Sequence, residues 1–157
     1  MWALVEHLVL LIYWGRFKMA EGAVPRFWRE IPQRYNLIGN QCSECRTVFF
    51  PPRESCPDCR RKSIGKMKNY KLNGEGEVVT YTIIYEAPEK FEGQAPYPVA
   101  IIKLNEGPKI TAQIVDCDID DVKIGMKVKS TFRKIQEDGY VGAIYYGYKF
   151  KPVEVEK

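Results

Sequence analysis

The sequence predicts a mainly β protein with three parts in chain order: a short N-terminal helix, a metal-binding ribbon and a five-stranded barrel. An amphipathic segment covers residues 24–36, two CxxC motifs lie at residues 42–45 and 56–59, and strand patterns fill the second half of the chain. With 157 residues, the chain is long enough for one moderate domain or two small ones.

Composition and charge argue against several classes of enzyme. The net charge is only +4, which does not guarantee a large basic surface. His7 is the only histidine in the sequence, which speaks against Ser-His-Asp or Cys-His catalysis by this chain. The sequence also lacks a GxGxxG or GxxxxGK(S/T) phosphate-binding loop. We therefore expect a protein that is not an enzyme.

The most specific signal is a set of four cysteines in two CxxC motifs, separated by a spacer of ten residues. The four are Cys42, Cys45, Cys56 and Cys59. A tetrahedral metal ion needs four converging donors, and a hairpin in the spacer would bring the two pairs together. Residues 47–50 would form one strand of this hairpin, and Pro51 and Pro52 would turn the chain back. The pattern predicts a rubredoxin-like zinc ribbon.

Iron in the same site is the alternative to zinc, and two disulfides are the alternative to a metal. Zinc is the favoured ion, and an unpaired Cys117 beside four metal thiolates indicates a reducing cytoplasm, where disulfides are rare. A four-cysteine site is closed to water and substrate, so a structural Zn²⁺ is expected. Arg46 and Arg60 follow the two motifs, where glycine is common because a positive φ is convenient there.

The N-terminal residues 1–18 are apolar but fit neither a membrane span nor a signal peptide. A glutamate and a histidine interrupt the run, which is short for a bilayer. Arg16 and Lys18 follow the apolar residues, which reverses the order of a signal peptide. We expect residues 1–23 to be an N-terminal extension with Met19 as the natural start. A short membrane-surface helix is the alternative.

Residues 24–36 predict a short amphipathic helix that begins near Pro25 and is kinked or split by Pro32. Its apolar side would carry Phe27, Trp28, Ile31 and Tyr35, and its charged side Arg26, Arg29, Glu30 and Arg34. The spacing slightly favours a helix packed on its own domain. The residue types also suit a helix offered to a partner, because Trp, Phe, Tyr and Arg are frequent at interface centres.

The second half of the chain predicts a barrel of five strands. They cover residues 78–85, 99–104, 110–115, 127–135 and 140–150. Turns at residues 105–108 and 137–139 would join hairpins, and an acidic crossover at residues 116–121 would follow the third strand. A loop would span residues 87–98, and residues 69–74 would form the return strand of the ribbon. A long first strand and a crossover between the third and fourth strands suit an OB-fold barrel.

Lysines around the ribbon and tyrosines in the last strand leave a second function open, that of a single-stranded nucleic-acid-binding protein. The tyrosines that would stack on bases are Tyr140, Tyr145, Tyr146 and Tyr148. The modest net charge and the many acidic residues of the barrel argue against nucleic acid. Half-buried strand residues are the commoner state of such tyrosines.

Several local strings match one known family. They are FWRE, RYNLIGNQCSEC, FFPPRESCPDC, PYPVAIIKLNEG, IGMKVKSTFRK and YYGYKF. Over about residues 24–152 the chain resembles the small archaeal and bacterial zinc-ribbon/OB-fold proteins linked to thiolases, long classed as a domain of unknown function. The helix, the PPR string between the CxxC motifs and the closing YGYKF make the match specific.

The resemblance implies a non-catalytic scaffold and acyl-CoA-binding subunit. It would bridge acetoacetyl-CoA thiolase and hydroxymethylglutaryl-CoA synthase at the entry to the mevalonate pathway, and would help to form a shared CoA-binding channel. The residues implied in contacts with CoA or a partner are Phe27, Trp28, Arg29, Tyr35 and Arg53. The implied division is a helix segment at 24–40, a zinc ribbon at 41–70 and an OB-fold domain at 71–157.

Overall fold

The structure, a computed structural model, describes residues 24–137 and 142–153. The expectations for residues 1–23, for Met19 as the start, and for the turn centred on residues 138 and 139 lie outside the described residues. Within the described parts, two short helices precede a three-stranded sheet and a five-stranded sheet. This order agrees with the predicted mainly β fold.

The N-terminal segment forms two short helices, α1 at Val24–Arg29 and α2 at Ile31–Asn36. The prediction of one helix with a break is correct, but the break falls at Glu30 and not at Pro32. The reason is that Pro32 sits in the first turn of α2, where a proline needs no N–H partner.

Trp28 does not share the packed side of these helices, so its predicted place beside the other apolar residues is wrong. Its side chain is 71% exposed, whereas Phe27, Ile31 and Tyr35 are half-buried. Successive residues of a helix lie about 100° apart around its axis, so Trp28 turns outward when Phe27 turns inward. The break at Glu30 prevents α2 from restoring a common face.

The ribbon sheet consists of β1 at Ile38–Cys42, β2 at Val48–Phe49 and β3 at Met67–Lys71. Both outer strands run antiparallel to β1 in the order β2-β1-β3. The hairpin strand is shorter than predicted, and the return strand ends before residue 74. Gly74 has a φ of +77°, which strand residues do not adopt, and this turn leads into the barrel.

Five strands form the second sheet, in the order β6-β5-β4-β7-β8 with antiparallel neighbours. They are β4 at Glu75–Ile84, β5 at Tyr97–Leu104, β6 at Lys109–Gln113, β7 at Lys127–Glu137 and β8 at Ile144–Pro152. Two corrections concern the connections. The predicted loop at 87–98 contains a 3₁₀ turn at Glu89–Gln94, and the fifth strand begins at Ile144, because residues 142 and 143 lie outside the ladder.

Among the described residues, a single parallel bridge between the residue directly after β6 and strand β8 closes the sheet into a barrel. Ile114 pairs with Phe150, and the backbone N–H of Val115 donates to the Phe150 carbonyl at 2.8 Å. On the N-terminal side of Ile114 and Phe150, no further pairs between β6 and β8 occur among the described residues. The barrel therefore has a partly open seam between these two strands.

One hydrophobic core connects the barrel to the ribbon. Phe150 and Ile102 are fully buried inside the barrel, and Leu37 and Leu72 join the same cluster from the two ends of the ribbon. The Leu72 N–H donates to the Leu37 carbonyl at 3.1 Å. None of the helices in the described ranges is long and apolar enough to cross a membrane.

Candidate metal centre and adjoining cleft

The four predicted cysteines converge on one point. Their sulfur atoms all lie within 4.8 Å of one another, and the Sγ atoms of Cys45 and Cys56 are 3.5 Å apart. Zinc–sulfur bonds of about 2.3 Å in a tetrahedron place the sulfurs about 3.8 Å from each other. The donor set and its spacing therefore fit a tetrahedral thiolate-bound ion.

The two CxxC turns have the same backbone design. The N–H of Arg46 donates to the Cys42 carbonyl at 2.9 Å, and the N–H of Arg60 donates to the Cys56 carbonyl at 2.8 Å. Both arginines have a positive φ, 62° for Arg46 and 48° for Arg60. Glycine is favoured in this conformation, but the sequence has arginine at both positions, and both arginines adopt it.

Ser63 is part of this site, although the sequence analysis did not identify it. It is fully buried, accepts a hydrogen bond from the Cys56 N–H at 2.9 Å and donates one to the Arg60 carbonyl at 2.6 Å. It thereby fixes the second CxxC turn from behind. No sequence motif marks a serine for such a role, because its partners are backbone atoms.

The electrostatics of the four thiols favour a cation at their centre. Hydrogen bonding to Thr47 lowers the pKa of Cys45 to about 6. Hydrogen bonding to Cys45, followed by desolvation, raises the pKa of Cys59 to about 12. The thiol of Cys45 therefore ionises readily, whereas the neighbouring sulfur atoms and desolvation oppose ionisation of Cys59. A divalent ion removes this opposition, because each thiolate then faces a positive charge.

The residues that the resemblance implied as contacts fall into separate places. Phe27 packs edge-on against Tyr145 and Tyr35, at centroid distances of 4.9 Å and 6.1 Å. Trp28 and Arg29 face solvent on the same helix. The structure thus brings Phe27 and Tyr35 together as anchors and leaves Trp28 and Arg29 outside.

Arg53 lies apart from this group, on the ribbon. Its backbone N–H donates to Asn40 Oδ1 at 3.2 Å, and the Asn40 side chain donates in turn to the Arg53 carbonyl. Its guanidinium lies over the Phe49 ring, 5.7 Å from the centroid. Arg53 therefore holds the loop between the CxxC motifs against β1.

A cleft of about 790 Å³ opens beside the seam of the barrel. Residues of α1 and α2 line one side, the ribbon residues Phe50 and Pro51 another, and β6 and β8 the floor. Its lining is more apolar than polar and includes several aromatic rings, with Phe91, Tyr97 and Tyr148 among them. Volumes of this size are typical of small-molecule sites.

Arg26 and Arg34 place positive charge at the helical side of the cleft. Both contact Glu30, Arg26 at 2.8 Å and Arg34 at 2.6 Å. Hydrogen bonds from Arg26 and Arg34 lower the pKa of Glu30. Two guanidinium groups share one carboxylate, so this side of the cleft keeps a net positive charge.

Lys149 is a buried cation that the sequence analysis did not single out. It lines the cleft and is only 5% exposed. Its Nζ donates to Gln94 Oε1 at 2.9 Å, while Gln94 Nε2 donates to the Ile135 carbonyl at 3.1 Å. In the sequence Lys149 stands in an alternating strand like any surface lysine, so only its tertiary position reveals it.

The predicted platform of stacking tyrosines does not form as a unit. Tyr145 is 8% exposed, and Tyr148 packs against Phe50 at a centroid distance of 5.6 Å. Tyr146 is exposed and stacks on Phe132, at 5.4 Å and an interplanar angle of 13°. Tyr140 lies outside the described residues. Among the described residues, the exposed stacked rings of Tyr146 and Phe132 are what remains of the predicted platform.

Two sequence families match parts of this chain. The rubredoxin-like zinc ribbon domain of ChsH2 matches residues 29–64, and its C-terminal OB-fold domain matches residues 70–133. The first match contains the whole cysteine cluster. Together with the convergence of the four sulfurs, it confirms the prediction of a structural Zn²⁺ in a zinc ribbon.

Similar proteins carry two kinds of description. A DUF35 domain-containing scaffold protein of Methanocaldococcus jannaschii is 53% identical over 139 residues, which cover 88% of this chain and 97% of that protein. A probable enoyl-CoA hydratase alpha subunit of Thermomonospora curvata is 31% identical over 103 residues, which cover 65% of this chain and 31% of that protein. The first similarity confirms the expectation of a scaffold in place of an enzyme.

Among solved structures, the fold is similar to one described as an Ltp2-ChsH2(DUF35) aldolase. The TM-score is 0.61 at 25% sequence identity, and the match covers 87% of this chain and 98% of that chain. The ribbon and the barrel are thus matched together and in the same order.

Proposed function

This chain belongs to the family of DUF35 domain-containing scaffold proteins, and we propose that it is an acyl-CoA-binding scaffold that bridges acetoacetyl-CoA thiolase and hydroxymethylglutaryl-CoA synthase in the cytoplasm. The two enzymes come from the sequence resemblance. The enoyl-CoA hydratase subunit among the relatives supports a link to CoA esters. The DUF35 component of the similar aldolase structure supports assembly with an enzyme.

The exposed Trp28 on an anchored helix is the observation that carries the proposal. Phe27 fixes α1 to β8, and Trp28 on the same helix is 71% exposed. The Arg29 side chain beside it forms no ion pair with another described residue. A large aromatic ring next to a free guanidinium is the composition of an interface centre. We assign this surface to the thiolase.

The cleft supports the acyl-CoA part of the proposal. Its aromatic walls suit the apolar acyl and pantetheine portions, and Arg26 and Arg34 offer positive charge for phosphates at one side. Because the cleft adjoins α1, an enzyme bound at Trp28 would lie next to it. A CoA ester could then contact both proteins.

Bridging has a thermodynamic purpose in this proposal. The formation of acetoacetyl-CoA from two acetyl-CoA molecules is uphill, so the reaction advances only when its product is consumed. A scaffold that holds the synthase beside the thiolase passes the product on before it diffuses away. Such a subunit needs surfaces and a groove, and no nucleophile of its own.

In the same proposal the zinc is structural, with Cys42, Cys45, Cys56 and Cys59 as its ligands. A four-thiolate site has no open position for substrate. The ion would hold the loop that carries Phe50 and Pro51, which line the cleft. Zinc would therefore act on ligand binding only through the shape of the ribbon.

The test is affinity capture from native cell extract with three versions of the chain: wild type, Trp28→Ala and Tyr85→Ala. Tyr85 is the matched control because it is also 71% exposed. Mass spectrometry should find the thiolase and the synthase with wild type and Tyr85→Ala, and neither or much less with Trp28→Ala. Purified enzymes should reproduce the result.

Two outcomes would contradict the proposal. Capture of nucleic acid that nuclease treatment removes would favour the single-stranded nucleic-acid alternative, for which the stacked Phe132–Tyr146 pair is the best candidate site. Equal capture of the enzymes by Trp28→Ala and wild type would remove α1 from the interface.

A further inference from the structure

Lys149 is a buried ammonium without a buried counter-charge. Of the described residues, only three polar or charged ones are buried, and Lys149 is the only charged one among them. An isolated ammonium in a protein interior is costly unless a charged group or several hydrogen-bond acceptors compensate it.

The partners of Lys149 satisfy only part of this need. An ammonium has three N–H donors, and the neutral amide oxygen of Gln94 accepts one of them at 2.9 Å. No carboxylate of the described residues lies within ion-pair distance of Nζ. The charge of Arg133 acts on Lys149, but it is also positive and lowers the pKa of Lys149. Arg133 itself is paired with Asp116 at 3.0 Å.

Three exposed lysines of the same chain do have a carboxylate partner. Lys66 contacts Glu44, Lys129 contacts Glu75 at 3.2 Å, and Lys134 contacts Glu137 at 3.1 Å. These surface pairs contribute little to stability, because water already solvates both partners. Lys149 is buried, so a carboxylate would matter more to it than to these exposed lysines, yet none of the described carboxylates pairs with it.

An anion that compensates the charge of Lys149 can reach it through the cleft. Lys149 lines the cleft together with Gln113 of β6, and each residue directly precedes one member of the bridged pair Ile114 and Phe150. Phe91, Tyr97 and Val99 line the same cleft, and its lining as a whole is more apolar than polar. An anion that enters here replaces water in an apolar setting, where a charge-assisted hydrogen bond is stronger than at the surface.

We propose that Lys149 is the recognition point for an oxyanion, a carboxylate or phosphate group, at the end of a small molecule whose apolar part lies against the aromatic walls of the cleft. Gln94, held by the Ile135 carbonyl, keeps the ammonium in position. The inference rests on the proposed function in taking the cleft as the ligand site. It concerns the isolated chain, and its test needs neither enzyme.

The probes are hexanoate, hexyl phosphate and the uncharged hexanamide, titrated into the isotope-labelled full chain and followed by amide chemical shifts. Wild type should bind at least one of the two anions, and bind it about tenfold or more tightly than hexanamide. The tighter of the two anions identifies the kind of oxyanion. Shifts should concentrate around Gln94, Gln113 and Lys149.

Lys149→Met keeps the length of the side chain and removes its charge. We expect a loss of anion affinity of about tenfold or more, with no loss of melting temperature, because the variant removes a buried charge. Lys151→Met is the matched control, since Lys151 is an exposed lysine of the same strand, and it should bind like wild type. Gln94→Glu should also weaken anion binding, because the new carboxylate at position 94 would pair with Lys149 in place of the ligand.

Three results would overturn the inference. They are no binding of either anion to wild type, equal binding of hexanoate and hexanamide together with no binding of hexyl phosphate, and unchanged anion affinity in Lys149→Met. Capture of the thiolase by wild type would stand in each case, so the failure of this inference is distinguishable from failure of the proposed function.

Discussion

The ring of Phe27 packs edge-on against the ring of Tyr145, with centroids 4.9 Å apart and planes at 80°. The Arg34 guanidinium lies over the same Phe27 ring, 5.2 Å from its centroid. Helix α1 has only six residues, too few to be stable alone. Its position on β8, and hence the position of the neighbouring Trp28, depends on contacts of this kind.

Phe27→Ala and Trp28→Ala should therefore separate folding from partner binding. Phe27→Ala should lower the free energy of unfolding by about 1–2 kcal/mol, because a half-buried ring and its aromatic contacts are lost. Trp28→Ala should leave the melting temperature unchanged and weaken thiolase binding by about 2 kcal/mol or more. Thermal melts and titration calorimetry measure the two effects. A lowered melting temperature with intact affinity in Trp28→Ala would reverse this assignment.

Loss of one sulfur should abolish the metal site. In Cys59→Ser we expect loss of bound zinc and melting of the ribbon, because metal binding supplies about 10–16 kcal/mol of apparent free energy in such small modules. Elemental analysis and circular dichroism measure the outcome. Cys117→Ser, which changes the cysteine outside the cluster, should keep one zinc per chain. A visible absorbance of the wild-type protein would indicate iron in place of zinc.

Arg60→Gly should stabilise the zinc-loaded protein by about 1 kcal/mol. Arg60 has a φ of 48°, a conformation that costs a residue with a Cβ atom free energy and glycine almost none. The neighbour Arg61 is the control, because its φ is not positive and Arg61→Gly should only increase the freedom of the unfolded chain. Urea unfolding of both variants provides the comparison. Equal destabilisation by both would show that the Arg60 side chain outweighs its backbone strain.

Lys149 should make stability depend on pH in the alkaline range. Burial, and then the charge of Arg133, lower the pKa of Lys149. Between this lowered pKa and the unfolded value of about 10.4, the unfolded chain holds a proton that the folded chain has released. The free energy of unfolding of wild type relative to Lys149→Met should thus rise as the pH increases through this window. Parallel pH profiles of the two proteins would contradict it.

The local patterns of the sequence predicted most of the fold and all four cysteines. Metal-ligand spacing and the strand period of two residues involve residues close in the sequence, so both can be recognised without knowledge of the tertiary structure. The sequence analysis left open whether Trp28 packs on its own domain or faces a partner, because apolar spacing alone does not show which side of a short helix is packed, and its 71% exposure fits the second alternative. Ser63 was missed because its partners are backbone atoms of a turn.

By itself, the sequence determined the order of helix, ribbon and barrel and the metal donors, since each depends on neighbours along the chain. Only the tertiary structure decided where the barrel stays open and which lysine is buried. The seam depends on the pairing of Ile114, directly after β6, with Phe150 of β8, and these residues are distant in sequence. Lys149 is buried beside this seam, where its Nζ donates to Gln94, and no local pattern encodes that position.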